Sequence, residues 1–251
     1  MNKILVKHDK IENTNLVEYS DNSITFTKTG DYIVEYIDCN NINLTIKILD
    51  DVSINLYVVS SDNNIVSNIK YILNKNSYLN VNKFYNNTSV CENININLDG
   101  CYSSINYKFS GITRGKEVYN MKIFHNNSNT NSIISNHLIA NVDSKIDFSV
   151  DSKVQSSSNS CSMNQDTRII NIGDNKSVIR PNMYIDNYDV EAKHSSVIGK
   201  FREEDIFYML SRGIDYNTAF KLLVKGYIFS NMDKFMFMRA YVLNVINEYW
   251  R

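Results

Sequence analysis

The sequence predicts a mainly β protein with a small helical region at its C-terminal end, and a β-solenoid is the favoured architecture. From about residue 31 to residue 187, apolar and polar residues alternate in runs such as NLTIKIL at 43–49 and SINYKFS at 104–110. Alternation rich in Ile, Val, Tyr and Phe is typical of strands with one buried face. The runs recur about every 10 to 15 residues, which also suits a sandwich or a barrel.

Two observations favour the solenoid over those alternatives. Tight hairpins need turn pairs such as Asn-Gly or Asp-Gly, and the pair at 99–100 is the only one of this type in the sequence. The short clusters between the apolar runs are rich in Asn, Ser and Asp. Such residues suit stacked coils, because like side chains at successive corners can form ladders.

Near residue 200 the apolar period changes from that of strands to that of helices. Glu203, Glu204 and Asp205 open a first helix, where carboxylates favour the positive end of the helix dipole, and Gly213 marks its end. Asp215 is suited to cap a second helix, and a third follows Asn231 with an apolar stripe that continues to residue 249. We therefore divide the chain into a β core with a short N-terminal segment, 1–199, and a helical region, 200–251.

Composition and charge exclude several classes of function. The 26 basic and 27 acidic residues give a formal charge of −1, which argues against nucleic acid and anionic membranes as partners. No apolar run approaches the roughly 18 residues of a membrane span. The early run Ile4–Val6 is shorter than a signal-peptide core. These observations predict a cytoplasmic protein.

Local motifs for catalysis or cofactor binding are absent from the sequence. It contains no glycine-rich phosphate loop and no local hydrolase or zinc-protease motif, so we expect no enzyme activity. The four cysteines are far apart and form no C-x-x-C pair, which predicts buried thiols without a zinc site: Cys39, Cys91, Cys101 and Cys161. His194 lies just ahead of the first helix, and two interpretations stay open for it: a surface histidine or an iron or zinc ligand.

A longer motif surrounds His194. The segment 180–228 resembles the C-terminal signature of the SufB/SufD family of iron–sulfur cluster assembly proteins, P-x-L-E-I-x-x-D-D-V-x-x-x-H-G-A-T-V-G followed by E-x-x-F-Y-L-x-S-R-G-I and A-x-x-L-L-x-x-G/A-F. A weaker similarity covers 125–154 and extends to Gln165. The residues that fall on the C-terminal pattern are Pro181, Ile185, Asp189, Val190, His194, Gly199, Glu204, Phe207, Tyr208, Ser211, Arg212, Gly213, Ile214, Ala219, Leu222, Leu223 and Gly226.

The resemblance implies a right-handed parallel β-helix that pairs with a SufB-like paralogue and whose C-terminal helices dock a SufC-like ATPase. It implies that His194 is an interface histidine at a tentative iron or cluster site, on a strand with Asp189 and Val190. The helix–turn motif implied to contact the ATPase contains Phe207, Tyr208, Arg212 and Gly213.

The sequence departs from the family pattern at three places. Ala192 stands where some SufD-type members have a cysteine, Ser195, Ser196 and Val197 replace the small run after the histidine, and Ser177 lies near where SufB-type members have their scaffold cysteine. The first departure removes a Cys/His pair, and the second removes the glycine that a close backbone approach would need. The third favours a SufD-like member over a SufB-like one.

The resemblance predicts a non-enzymatic scaffold or accessory subunit of the SUF iron–sulfur cluster assembly complex. A cluster or iron would bind transiently at the complex interface, and a flavin, if one binds, only in the assembled complex. Without the paralogue the chain could form a homodimer. The alternatives are a carbohydrate-active parallel β-helix enzyme, since such folds often host polysaccharide lyases and hydrolases, and a purely structural β-helix.

Overall fold

The computed structural model describes residues 2–12, 17–20, 22–60, 64–233 and 235–249. Within them the chain forms a parallel β-solenoid of about seven turns, followed by three helices. This confirms the predicted fold class and the change of period near residue 200. The strands end at Gly199 and the first helix begins at Glu203.

The strands and helices follow one another with short connections. The strands are β1 (Asn2–Lys7), β2 (Lys10–Ile11), β3 (Glu18–Ser20), β4 (Ser23–Phe26), β5 (Gly30–Ile37), β6 (Asn41–Ile48), β7 (Ser53–Ser60), β8 (Asn64–Leu73), β9 (Tyr78–Tyr85), β10 (Ser89–Leu98), β11 (Ser104–Thr113), β12 (Lys116–His125), β13 (Asn131–Ala140), β14 (Lys145–Val154), β15 (Cys161–Asn171), β16 (Val178–Ile185) and β17 (Val190–Gly199). The helices are α1 (Glu203–Ser211), α2 (Tyr216–Ser230) and α3 (Met236–Tyr249).

From β4 onward the chain alternates between two sheets, so each coil contributes one strand to each. Sheet A has the order β17-β15-β13-β11-β9-β7-β5-β1-β2, and sheet B has the order β16-β14-β12-β10-β8-β6-β4-β3. Neighbouring coils pair in parallel, and the corners absorb their differences in length. Gly30 lies beside Ile54, a step of 24 residues, whereas Asn131 lies beside Ser162, a step of 31.

The alternating residues that face inward from both sheets form the core. Buried Ile, Leu, Val, Tyr and Phe side chains make one continuous cluster from Ile4 to Ile169. Burial of this apolar surface is the main stabilising contribution, at about 25 cal/mol per Å² removed from water. The two-residue period of the sequence is therefore the period of the solenoid interior.

Asparagines stack into a ladder on the outer face of sheet B. Asn68 donates to Asn43 at 2.8 Å, Asn93 donates to Asn68 at 2.9 Å, and Asn120 donates to Asn93 at 3.1 Å. Asn68 and Asn93 each donate to one neighbour and accept from the other, so the middle of the column satisfies itself along the solenoid axis. The ladder accounts for part of the heavy use of Asn, although it lies on a sheet face and not at a corner.

The corner from sheet B to sheet A repeats one backbone conformation. Asp51, Asn76, Tyr102, Asn129 and Ser160 all have positive φ, between 53° and 62°. At the first four, the backbone N–H donates to a carbonyl of the next coil over 2.8 to 3.4 Å. Positive φ is costly for residues other than glycine, and a bond between coils at each stacked corner offsets this cost.

The same corner contains the Asp-Gly pair noted in the sequence, and it is not a hairpin. A Cβ atom on Gly100 would lie 2.0 Å from the backbone nitrogen of Lys75 in the preceding coil. Glycine is needed here because the two backbones approach more closely than any side chain allows. The Asp-Gly pair is therefore a feature of coil stacking, in agreement with the scarcity of hairpin turns.

The helical region packs on the outer face of sheet A. Residues of α2 and α3, including Val224, Ile228, Val242 and Ile246, share a buried cluster with Tyr57, Phe84, Ile112 and Ile139 of the sheet. The turn between these helices is anchored by Asp233, whose carboxylate accepts from Asn80 at 2.9 Å, Asn82 at 2.8 Å and Lys108 at 2.6 Å. The second and third helices are therefore fixed to the solenoid.

The two ends of the solenoid are built differently. At the first coils, the short strands β2 and β3 pair antiparallel with β1 and β4. At the other end, β17 is the edge of sheet A and β16 is the edge of sheet B. Among the described residues no element pairs with the outer edge of either of these two strands.

Candidate functional site: the last coil and the first helix

In the last coil, the positions that face the buried interior in every earlier coil are exposed. Strand register aligns Ile179, Pro181, Met183 and Ile185 of β16 with inward-facing positions of β14. It aligns Val190, Ala192, His194, Ser196 and Ile198 of β17 with inward-facing positions of β15. These residues are half-buried or exposed because no further coil lies over them. The result is an uncovered, largely apolar coil end with two free strand edges, which we call the open end.

His194 lies on the inner face of the open end. Its partner in register is Gln165, which is buried in the solenoid interior. The His194 side chain is exposed and makes no hydrogen bond or ion pair to any described residue. The adjacent Lys193 points to the outer face and pairs with Glu191 at 2.7 Å. His194 is therefore the sole imidazole that the described part of the chain presents at this end.

The neighbouring motif residues have structural contacts. The Asp189 carboxylate accepts from the backbone N–H of Ser160 at 2.8 Å and from its hydroxyl at 2.7 Å. Ala192 packs against the small cluster of Val154, Cys161 and Met163. A methyl group at position 192 thus joins the packing of the last two coils, and it supplies no ligand atom.

Ser177 belongs to the corner before β16. Its hydroxyl donates to the side-chain oxygen of Asn171 at 2.8 Å and accepts from the backbone N–H of Ile146 at 3.3 Å. The contact with Ile146 holds this corner against the preceding coil, and the contact with Asn171 joins the two ends of the corner itself. Ser177 therefore has a structural use at the position that the family comparison singled out.

Helix α1 is the most exposed element of the helical region. None of its residues is buried. Phe207 is 72% exposed, Tyr208 is 61% exposed, and Leu210 is also exposed. Large apolar side chains grouped on one exposed helix are typical of a surface that another protein covers. α1 is attached to the rest of the chain mainly by its two ends and by contacts with α2.

Arg212 and Gly213 form the C-terminal cap of α1. The N–H of Gly213 donates to the carbonyl of Leu210 at 2.9 Å, and the N–H of Ile214 donates to that of Met209 at 3.2 Å. This is the Schellman pattern, and Gly213 has the positive φ, 82°, that the pattern requires. The Arg212 guanidinium lies 5.3 Å from the centre of the Tyr208 ring. The expected end of the helix at Gly213 is confirmed.

The structure confirms the predicted burial for two of the four cysteines. Cys39 and Cys161 are buried as expected, whereas Cys91 is exposed and Cys101 is intermediate. The prediction was wrong for Cys91 because its position alternates to the outer face of sheet B, where it lies beside Val66 and Val118. Over the described ranges, no three His, Cys, Asp or Glu side chains are grouped closely enough to hold a metal ion.

One Ser, His and Asp combination does form in space. The Ser230 hydroxyl lies 3.3 Å from Nδ1 of His137, and Nε2 of His137 lies 3.9 Å from the Asp166 carboxylate. However, Ser230 donates its hydrogen to the carbonyl of Tyr227 at 2.7 Å, as an ordinary helix back-bond. The His137 ring stacks on the Tyr227 ring at 5.0 Å. The group therefore joins α2 to sheet A and lacks the arrangement of an activated nucleophile.

The main feature that the sequence interpretation missed is a buried charged group in the solenoid interior. Lys83 and Glu92 form an ion pair, and Glu92 also accepts from Ser67 at 2.9 Å and from Tyr85 at 3.2 Å. The Lys83 ammonium lies 3.9 Å from the centre of the Tyr85 ring. A lysine at an inward position of the alternating run LNVNKFY was the available signal.

Two further titratable groups are buried on β12. The Tyr119 hydroxyl donates to Glu117 at 3.0 Å, and burial raises the pKa of Glu117 to about 7. Both ring nitrogens of His125 are bonded, to Thr130 at 2.8 Å and to Ser132 at 2.9 Å. Burial lowers the pKa of His125 to about 4, so this histidine is neutral in the folded protein near neutral pH.

The fold and the site together define a class of protein: a parallel β-solenoid with one open end and a helical region packed on one sheet. Within this class, residues 4–227 match the family model described as SUF system FeS cluster assembly, SufBD core domain, and the chain belongs to that family. A segment of 40 residues is 42% identical to the iron–sulfur cluster assembly SufBD family protein PH1385 of Pyrococcus horikoshii.

This match covers 16% of the present chain and 9% of the Pyrococcus protein. The family membership supports a part in iron–sulfur cluster assembly and does not favour the carbohydrate-active alternative. In the described part of the chain, no helix combines the length and the apolar character that membrane crossing requires.

Proposed function

We propose that this chain is a SufD-like scaffold or accessory subunit of a SUF assembly complex, which pairs with a SufB-like paralogue and docks a SufC-like ATPase. The observation that carries the proposal is the open end of the solenoid, with His194 on its inner face. Family membership supports iron–sulfur cluster assembly as the process in which the chain takes part.

Pairing at the open end has two physical reasons. The edges of β16 and β17 have backbone donors and acceptors without partners in the described chain, and such edges favour strand addition by another chain. The inner-face residues, such as Met183 and Ile198, are apolar and uncovered. A second solenoid placed here would satisfy the edges and bury the apolar surface together.

The site for iron or a nascent cluster is shared in this proposal. His194 offers one imidazole, and the described residues contain no group of three ligands, so the other ligands come from the paralogue. Imidazole is a suitable ligand for iron. The cluster is the cargo of the complex and needs no permanent site on this chain, which is consistent with a scaffold without catalytic chemistry of its own.

The proposed docking site of the ATPase is α1. Phe207 and Tyr208 are the exposed residues that would contact it, whereas Arg212 and Gly213 shape the turn that holds the helix. α1 is the helix least tied to the solenoid, and α2 and α3 are fixed on sheet A. A force applied to α1 would therefore reach the open end through residues 200–202, which follow β17 directly.

The proposal includes the cytoplasm as the site of assembly, and any flavin would bind only to the assembled complex. A homodimer through the same open end is the arrangement expected without the paralogue.

Coexpression with candidate SufB-like and SufC-like chains, followed by affinity capture under anaerobic conditions, tests the assignment. We expect a complex of all three chains. Ile198→Asp, which puts a charge on the inner face of the open end, should abolish capture of the SufB-like chain. Lys193→Ala, on the outer face of the same strand, is the matched control and should leave capture intact.

The variant His194→Ala separates formation of the complex from formation of the cluster. The variant should form the complex but yield less iron and sulfide on reconstitution than the wild type. Absence of any complex would overturn the subunit assignment. An unchanged iron and sulfide yield would return His194 to the surface-histidine interpretation.

A further inference from the structure

Gln165 lies directly behind His194. The two residues are partners in register on β15 and β17, and Cys161, Met163 and Gln165 alternate on the inner face of β15. Parallel strands in register place such partners on the same face, about 4.8 Å apart. Gln165 is 2% exposed, so it forms the floor of the open end beneath the histidine.

The hydrogen bonds of Gln165 fix the direction of its amide. Nε2 donates to the hydroxyl of Ser152 at 2.6 Å and to the backbone carbonyl of Asn182 at 3.4 Å. The carbonyl of Asn182 can only accept, so a flipped amide would place two acceptors against each other. Oε1 is therefore the atom directed away from these partners.

Oε1 of Gln165 is buried and has no hydrogen-bond partner in the described structure. A buried polar atom left in this condition costs about 1–3 kcal/mol. His194 is one strand away, is free of other hydrogen bonds, and has two ring nitrogens. A neutral imidazole carries its hydrogen on one nitrogen and a lone pair on the other.

We propose that Gln165 is a positioning residue for His194: its Oε1 accepts one ring N–H of the histidine and leaves the other nitrogen directed out of the open end as a ligand. This inference rests on the proposed function for its purpose, and on the Gln165 contacts for its geometry. A carbonyl or carboxylate behind a ligating histidine fixes the tautomer and the orientation of the ring.

The first test measures the His194 tautomer by long-range ¹H–¹⁵N NMR on the full chain at about pH 8, where an imidazole is neutral. His194→Ala identifies the signals. We expect a single tautomer in the wild type and a mixture of both in Gln165→Met. A mixture of the two tautomers in the wild type would overturn the inference even if Gln165→Met did not fold.

Thr167→Val provides the matched control. Thr167 is the next inward residue of β15, is also buried, and is bonded to Asn136 at 3.0 Å. Its partner in register is Ser196 and not His194. The Thr167 variant should keep the single tautomer of His194. The same loss of tautomer preference in both variants would show a general loosening of β15 and contradict a specific role for Gln165.

A second readout uses Co²⁺ as a paramagnetic probe of the ring. Broadening of the His194 signals should give a Kd about tenfold weaker in Gln165→Met than in the wild type. Co²⁺ binding that Gln165→Met leaves unchanged would overturn the positioning role while the proposed function stands. A tautomer set by Gln165, together with no Co²⁺ binding and an unchanged cluster yield in His194→Ala, would remove the ligand role of His194 from the proposed function while the Gln165–His194 contact stands.

Discussion

The carboxylate of Asp189 does for Ser160 what a backbone carbonyl does at the four preceding corners of the same column. It accepts the backbone N–H of Ser160 at 2.8 Å from the last coil, where at the earlier corners a backbone carbonyl of the next coil accepts. A motif residue next to the proposed ligand strand therefore joins the last coil to the corner of the coil before it. Its role is to hold the start of β17, from which His194 projects.

Asp189→Ala should destabilise the protein by about 1 kcal/mol, a reduced value for a charged hydrogen bond because the site is exposed. Urea unfolding measures the change. Asp186→Ala is the control, since Asp186 lies in the same corner and has no contact of this kind to a described residue. Equal stability of the two variants would contradict the capping role of Asp189.

Removal of one member of the buried Lys83–Glu92 pair should destabilise the protein far more than Asp189→Ala does. Lys83→Met leaves the Glu92 carboxylate buried without its ammonium partner, and Glu92→Gln leaves the ammonium without its carboxylate; each should cost about 3–5 kcal/mol. The double variant should be more stable than either single one, because no uncompensated charge remains. A double-mutant cycle by urea unfolding checks this, and strict additivity would show that the two groups are not coupled.

Glu117 should make stability fall as pH rises. Its folded pKa of about 7 exceeds the ordinary value of 4.5, so between these values the unfolded chain releases a proton that the folded chain retains. At about 1.4 kcal/mol per pKa unit, the difference corresponds to about 3 kcal/mol that is present below pH 4.5 and lost by pH 7. Relative to the wild type, Glu117→Gln should therefore gain stability as pH rises through this window.

His125 should act in the opposite direction. Its folded pKa of about 4 lies below the ordinary value of 6.5, so as pH falls between them the unfolded chain takes up a proton that the folded chain refuses. Stability from this residue is present above pH 6.5 and lost by pH 4. Where the windows overlap, the two slopes oppose each other. His125→Gln should remove its part, and urea midpoints that change equally with pH in wild type and variant would refute it.

Substitution of an exposed residue of α1 should affect binding of the ATPase, whereas substitution of its capping residue should affect stability. Phe207→Ala should change stability by less than about 0.5 kcal/mol, as surface substitutions usually do, and should weaken capture of the SufC-like ATPase. Gly213→Ala should destabilise by about 1 kcal/mol because φ is 82° there. Thermal unfolding and affinity capture measure the two effects. Normal ATPase capture by Phe207→Ala would remove Phe207 from the docking surface.

The sequence was sufficient for the fold class because the inward face of a strand repeats every second residue, and for α1 and α2 because Asp215 and Gly213 have local hydrogen-bonding reasons to lie where they do. It could not show that His194 faces inward, since that depends on its register with Gln165 across a corner. The exposure of Cys91, in contrast, could have been predicted, because Cys91 alternates with the inward-facing Ile94 and Ile96 of the same run. Lys83 was missed because its partner, Glu92, lies on the opposite sheet.

The open end also sets a condition for making this protein. Two adjacent free strand edges and an uncovered apolar face are a template for association with any chain that offers matching strands, including further copies of the same chain. Copies produced in excess over the molecule that covers this end would associate with one another. If a partner covers this end as proposed, the solubility of the protein should depend on the ratio in which the two chains are synthesised.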